Sequence, residues 1–154
     1  MIIREANIND VKKIKEITYE AFMKYCELVG IDPKNNAAVN ETIDDIIKDI
    51  QNKKVFVADS DGKIIGSIRV EIINENSAYI SRFGVSLTYQ NNGVGKMLIE
   101  KVDKYLIENN IKKVYLHTAS KLKDLIIFYY KRGFYIVSTS DEYGYIRALL
   151  CKEY

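Results

Sequence analysis

The segment Phe83-Gly84-Val85-Ser86-Leu87-Thr88-Tyr89-Gln90-Asn91-Asn92-Gly93-Val94-Gly95-Lys96 holds the residues of this chain whose spacing speaks most directly of chemistry. It reads as a strand, a polar loop and the start of a helix near Gly93. Glycines at 93 and 95 remove side chains where the helix emerges. Several backbone N–H groups there lack a helical partner and point outward, and the helix dipole adds partial positive charge. That geometry binds a phosphate or a pyrophosphate. A tight strand-to-helix turn also needs glycine for steric reasons alone, and Gly-x-Gly by itself favours that plainer reading. The chain has no G-x-x-x-x-G-K-[ST] loop and no G-x-G-x-x-G after a first strand, which argues against ATP and NAD as the ligand.

Few other residues invite a chemical reading on their own. His117, the only histidine, ends a strand. It reads first as a hydrogen-bonded strand-end residue and second as a proton shuttle. Cys26 and Cys151 are too few for a disulfide framework or a four-ligand zinc site, so no metal is expected. They have no triad partner in the sequence, which disfavours acyl-enzyme chemistry. They read as reduced thiols of a cytoplasmic protein.

The elements that position these residues follow from periodicity and turn chemistry. Residues 2–6 read as a short strand. Asn9 is expected to cap a helix whose face is Val11, Ile14, Ile17, Ala21, Phe22 and Tyr25. A loop follows over 30–40. Thr42 and Asp45 form a capping-box pattern ahead of Ile43, Ile46, Ile47 and Ile50. Strands are expected at 55–58, 63–73 and 78–85, the first two joined by the turn Asp59-Ser60-Asp61-Gly62. Then the rhythm changes. A helix over 93–109 repeats Val94, Leu98, Val102 and Leu106. A strand over 114–117 and a helix over 121–132 follow, the helix ended by Gly133 as a left-handed cap. Strands at 134–139 and 145–150 close the chain. Strand–helix–strand–helix–strand order implies a partly parallel sheet covered by helices.

Bulk properties bound the class. The 154 residues, 47% hydrophobic and 29% charged, suit one globular domain rather than a disordered chain. With 23 basic and 21 acidic residues, the net charge of +2 argues against a duplex-DNA binder. The charged start Met1-Ile2-Ile3-Arg4-Glu5 does not read as a signal peptide, and no stretch reaches the roughly 20 apolar residues of a membrane span. Neither nucleic acid nor membrane is expected as a partner.

Two motifs in order carry a resemblance. Gln90-x-x-Gly93-x-Gly95 at a strand-to-helix junction is similar to the acyl-CoA pyrophosphate loop of the GNAT superfamily of N-acetyltransferases, [Q/R]-x-x-G-x-[G/A]. Downstream, Phe128-Tyr129-Tyr130-Lys131-Arg132-Gly133-Phe134 resembles the same family's F-Y-[E]-K-x-G-F segment, and the element order matches along nearly the whole chain. The resemblance implies one α/β (α+β) domain over 1–154, with a mixed, mostly antiparallel central sheet flanked by about four helices. It implies an acetyl-CoA-dependent acyltransferase acting on a primary amine of a small molecule or peptide, by direct attack in a ternary complex.

Carried over by position, the backbone of Gln90, Asn91, Asn92, Gly93, Val94, Gly95 and Lys96 would cradle the CoA pyrophosphate. Phe83 and Val85 would pair with pantetheine and polarise the acetyl carbonyl, the donor that acyl transfer needs. Tyr129 would give a proton to the departing thiolate. Glu71 stands where the family often places its general base, with a solvated strand residue as the equal alternative. Arg69 and Arg82 could flank the substrate, although surface arginines are the default. One position departs from the pattern: Leu122 stands where many members have an asparagine that holds pantetheine. That departure, with the unassigned base, leaves a non-catalytic acyl-CoA-binding or regulatory module as the alternative. A homodimer is compatible with the resemblance.

Overall fold

The computed structural model describes residues 1–154. Seven strands make one sheet: β1 Ile2–Glu5, β2 Lys54–Ser60, β3 Lys63–Ile72, β4 Ser77–Val85, β5 Lys113–Ala119, β6 Tyr135–Ser140 and β7 Arg147–Glu153. Four helices flank it: α1 Val11–Val29, α2 Ile43–Asn52, α3 Val94–Glu108 and α4 Lys123–Lys131. The spatial order is β1-β2-β3-β4-β5-β7-β6, and only β4 and β5 run parallel. The expected mixed, mostly antiparallel sheet with four helices is the fold found.

Local chemistry sets most element ends. Thr42 and Asp45 form the anticipated capping box at α2. Asp61 and Gly62, with φ of 52° and 88°, turn β2 into β3, and Gly62 N–H donates to Asp59 Oδ1 at 2.7 Å. Ahead of the first helix the capping side chain is that of Asn7 rather than Asn9, and it caps a 3-10 turn; Asp10, at the N-cap of α1 itself, makes no side-chain cap bond to that helix. Asn7 accepts from Asn9 N–H, and Asp10 accepts from Asn7 N–H, so Asn9 lies inside a short 3-10 turn that leads into α1. The closing strand starts at Arg147, later than expected, because its ladder with β5 begins at the Arg147–Ala119 pair. Tyr145 instead sends its hydroxyl to Tyr25 of α1, 2.9 Å away.

Two cores hold the layers. The larger lies between the sheet and α3 with α4, and includes Ile65, Ile68, Ile80, Leu98, Leu106, Leu116, Tyr129, Phe134 and Leu150. The smaller packs Val11, Ile14, Ile17 and Ile46 of α1 and α2 against Val55, Val57 and Ile64 on the other face.

Strand β4 shows why those faces meet where they do. Ala78 and Ile80 enter the larger core, and Phe83 and Val85 pack against it too, a phase that unbroken alternation forbids. Between them the β3 register slips: Arg69 faces Ser81, yet Ser67 faces Gly84. The extra residue is Arg82, held at φ 51°. This β-bulge turns Phe83 toward α3 and α4 and Gly84 toward α1, where an added Cβ would lie 3.0 Å from that of Ala21.

The α1–α2 loop is tied to the sheet by charge. Arg69, expected at the surface, is fully buried. Its guanidinium donates to both oxygens of Glu41, at 2.6 and 2.7 Å, and to Asp49 of α2 at 2.9 Å. Arg82 reaches the same Glu41 at 3.2 Å, and Lys15 of α1 donates to the Glu41 carbonyl. Removing one partner from a buried pair strands the other charge, so Arg69→Met should lower stability by about 3–5 kcal/mol. Urea titration should show a lower midpoint at unchanged slope. Lys13→Ala, which breaks an exposed pair with Glu16, should change stability by no more than about 0.5 kcal/mol.

Candidate active site

The parallel pairing of β4 with β5 lasts for three residue pairs, ending at Tyr79 with Tyr115. Beyond it the strands part. From Ile80 to Val85, β4 keeps β3 on one edge and has no strand on the other, and β5 has only β7. Backbone groups on those facing edges are left to a ligand or to water.

The Gln90–Lys96 loop caps this parting. The chain leaves β4 through bonds that fix it: Ser86 N–H to Ile65 O at 2.9 Å, Tyr89 N–H to Ser86 O at 2.8 Å, and Leu87 N–H to Glu20 of α1 at 2.6 Å. Gln90 Nε2 donates back to the Val85 carbonyl at 3.3 Å. Then the restraint stops: none of the backbone N–H groups from Gln90 to Lys96 donates to the protein. Asn91 and Gly93 take positive φ, 68° and 79°, which wraps the backbone into a turn before α3. The two glycines differ in purpose. Gly93 serves conformation, since an added Cβ would meet nothing within 4 Å. Gly95 serves close approach, since an added Cβ would sit 3.2 Å from Phe83 and 3.4 Å from Phe128. Unpartnered donors at a helix N-terminus suit an anion.

Beneath that loop lies an aromatic cluster. Tyr129 is buried, with ring centroids 6.3 Å from Phe83, 5.4 Å from Phe128 and 5.6 Å from Phe134. Burial alone raises the Tyr129 phenol well above its ordinary range, so it stays protonated. Leu122 precedes α4 and supplies no side-chain cap to it. The structure therefore brings Phe83, Gly95, Phe128 and Tyr129 together on one face of the sheet.

Glu71 is elsewhere. It is exposed, pairs across the ladder with Tyr79, and shares the α2 side of the sheet with Arg69. Glu71 lines a polar groove of about 560 Å³ together with Glu41, Asp49, Tyr79, Ser81 and Arg82. That volume suits a small molecule or the end of a peptide.

Beside the groove, Tyr79 Oη lies 2.5 Å from His117 Nδ1, a bond that spans β4 and β5 where they part. The anticipated hydrogen-bonded histidine is thus present. Burial, and then Arg147, hold its imidazole below the ordinary 6.5, while Glu142 opposes them. Arg147 stacks on Tyr143 at 4.3 Å. Cys26 and Cys151 are both free and buried, and burial raises the Cys26 thiol. No group of three or more His, Cys, Asp or Glu side chains is placed to hold a metal ion. No helix is long and apolar enough to cross a membrane.

Sequence reading missed Tyr79, Glu41 and the burial of Arg69. Nothing local marks Tyr79 among twelve tyrosines; only strand register brings it to His117.

Comparisons with known proteins bear on the family and the fold. The model of the Acetyltransferase (GNAT) family matches residues 15–134. An uncharacterised N-acetyltransferase of Chlorobaculum tepidum is 29% identical over 82 residues, 53% of this chain and 52% of that protein, so the match spans about half the length of that relative. The PaiA N-acetyltransferase of Thermoplasma acidophilum, solved with coenzyme A, superposes with a TM-score of 0.88 at 20% identity, covering 99% of this chain and 98% of that one. The ribosomal-protein-alanine N-acetyltransferase of Brucella melitensis superposes at 0.78 and 14% identity, with both chains fully covered.

The two glycines should respond differently to substitution. Gly95→Val should force Phe83 and Phe128 apart and cost about 1–3 kcal/mol in chemical unfolding. Gly93→Ala should cost about 1–2 kcal/mol through its left-handed backbone alone. Near-ultraviolet circular dichroism should show a disturbed aromatic cluster only in the first.

Proposed function

Because this chain belongs to the GNAT acetyltransferase family, we propose that it transfers an acetyl group from acetyl-CoA to a primary amine of a small molecule or peptide. The observation that carries this reading is the run of unpartnered backbone N–H groups from Gln90 to Lys96 beside the parted strands β4 and β5. The donor set fits acetyl-CoA. The loop amides and the α3 N-terminus receive the anionic pyrophosphate, with Lys96 adding exposed positive charge at the rim. The free edge of β4 at Phe83–Val85 offers main-chain groups to the pantetheine amides. A backbone N–H there stabilises the negative charge that develops on the thioester oxygen. Leu122 contributes no polar group to this strip.

Tyr129 acts on the leaving sulfur. A phenol has an ordinary pKa of about 10 and a thiol about 8.5, so complete proton transfer to the thiolate runs uphill, and burial of Tyr129 steepens it. The role that fits is a hydrogen bond donated to sulfur as charge develops there, the proton itself coming from the amine. Direct attack by the amine in a ternary complex is supported by the two cysteines, both buried and without an activating base. Those free thiols accord with a cytoplasmic setting. The acceptor enters from the opposite face of the sheet, over the groove lined by Glu71, Tyr79, Ser81 and Arg82.

Leu122 at the start of α4 favours one second reading, a module that binds acyl-CoA without turnover. Titration calorimetry with acetyl-CoA, and thiol release across alkylamines, polyamines, amino acids and peptide N-termini, decides between them. The transferase reading expects binding and release with at least one acceptor. Binding without release would establish the module, and no binding at millimolar acetyl-CoA would overturn both. A lost hydrogen bond to a charged partner costs about 1.5–3 kcal/mol, so Tyr129→Phe should slow turnover by about 10- to 100-fold with acetyl-CoA affinity nearly unchanged.

A further inference from the structure

An amine reaches the enzyme as an ammonium ion, and it must lose a proton before its nitrogen can attack. The carboxylates of the groove are poorly placed to take it. Glu41 is committed to Arg69 and Arg82, Asp49 to Arg69 and Lys53, and Asp45 accepts from Thr42 N–H as the cap of α2. Glu71 is exposed at the rim. Tyr79, by contrast, is half-buried at the point where β4 and β5 separate, on the groove side of the sheet, with His117 behind it at 2.5 Å. We propose that Tyr79 and His117 together form the proton acceptor of the reaction, Tyr79 facing the amine and His117 receiving the proton through it. This rests on the acetyltransferase reading above.

The step balances as a relay. An N–H bond of the ammonium breaks, and its proton passes to the Tyr79 oxygen while the hydroxyl's own proton passes to Nδ1 of His117. Tyr79 ends as the neutral phenol it was, and the positive charge ends on the imidazole. The freed lone pair forms the bond to the acetyl carbon. The second proton that the nitrogen loses leaves with the CoA thiol, and His117 returns its own to solvent. The relay needs neutral imidazole with the hydrogen on Nε2.

The surroundings favour the neutral form. The charged and titratable groups acting on the pair are Arg147 of β7, Glu142 and Tyr143 of the β6–β7 hairpin, and Arg82 of β4. Burial and Arg147 lower the imidazole pKa, with Glu142 in opposition, and burial keeps Tyr79 a phenol.

The test uses the full chain without a histidine tag, acetyl-CoA and the best acceptor found. Wild-type kcat/KM should fall on the acid side with a midpoint below 6.5, the range in which His117 becomes charged. His117→Gln should lower kcat by about 100-fold, keep acetyl-CoA affinity within about twofold, and abolish that acid limb. Tyr79→Phe should lose as much, and the double variant no more than the worse single one, because the two act as a unit. Glu71→Gln should keep the limb. As the only histidine, His117 gives one set of imidazole NMR signals, whose titration should coincide with the limb.

His117→Gln with unchanged kcat and limb would overturn the assignment. So would a limb lost in Glu71→Gln, or a collapse of acetyl-CoA binding in both His117→Gln and Tyr79→Phe, which would mark a structural role. Those outcomes leave the transferase reading standing. A wild type that acetylates nothing overturns that reading, and this proposal with it.

Discussion

The parting of β4 from β5 is the constraint on which the rest of this molecule depends. Parallel pairing needs two strands at hydrogen-bonding distance along their length, and here it ends after three residue pairs. Just beyond that point β4 is irregular. The bulge at Arg82 adds a residue against β3, increases local twist and reverses the phase of the strand. Beside the unpaired main-chain edge, one irregularity therefore turns Phe83 toward Tyr129 and Arg82 toward Glu41 on the opposite face. Sheets ordinarily protect unpaired edges. An interior edge kept open between two covered faces leaves its main-chain groups to a ligand or to water.

The opening requires rigid walls, and the structure supplies them differently on its two sides. On the α3 and α4 side the wall is apolar, with Gly95 allowing the helix to press against Phe83 and Phe128. On the α1 and α2 side it is ionic. Arg69 is buried with bidentate Glu41 and with Asp49, and this network joins the α1–α2 loop, α2, β3 and β4. Buried ion pairs contribute little net stability compared with apolar packing, but they penalise any arrangement that separates them. Such a network locates a loop better than it strengthens a core. Here the loop it locates borders the groove.

Legibility in the sequence followed the range of the interactions. The Thr42–Asp45 box, the Asp61-Gly62 turn and the Gly133 cap each act within four residues, and all three stand as read. So do the apolar stripes of α1 and α3, whose period belongs to the helix itself. The Asn9 cap did not, because Asn7 offers the same chemistry two residues earlier, and Asp10, itself held by Arg4, returns a bond to Asn7. Arg69 gave no hint of burial, since a strand arginine looks the same facing water or facing Glu41, a residue 28 positions away. The bulge was equally silent. Positive φ at an arginine leaves no mark in composition.

By itself, the sequence determined the order of elements, the junction carrying Gly93 and Gly95, and the placement of Tyr129 on the helix that follows β5. These are properties of short stretches, where glycine conformation, hydrophobic period and capping act before any distant contact forms. Tertiary structure alone decided which side chains share a space. It brought Tyr79 to His117 across the parted strands, placed Glu71 at the groove rim and committed Glu41 to two arginines. Those outcomes depend on strand register and on one bulge, and a one-residue slip sends a side chain to the opposite face. That is why a single histidine, unremarkable in the chain, stands at the point where the strands separate.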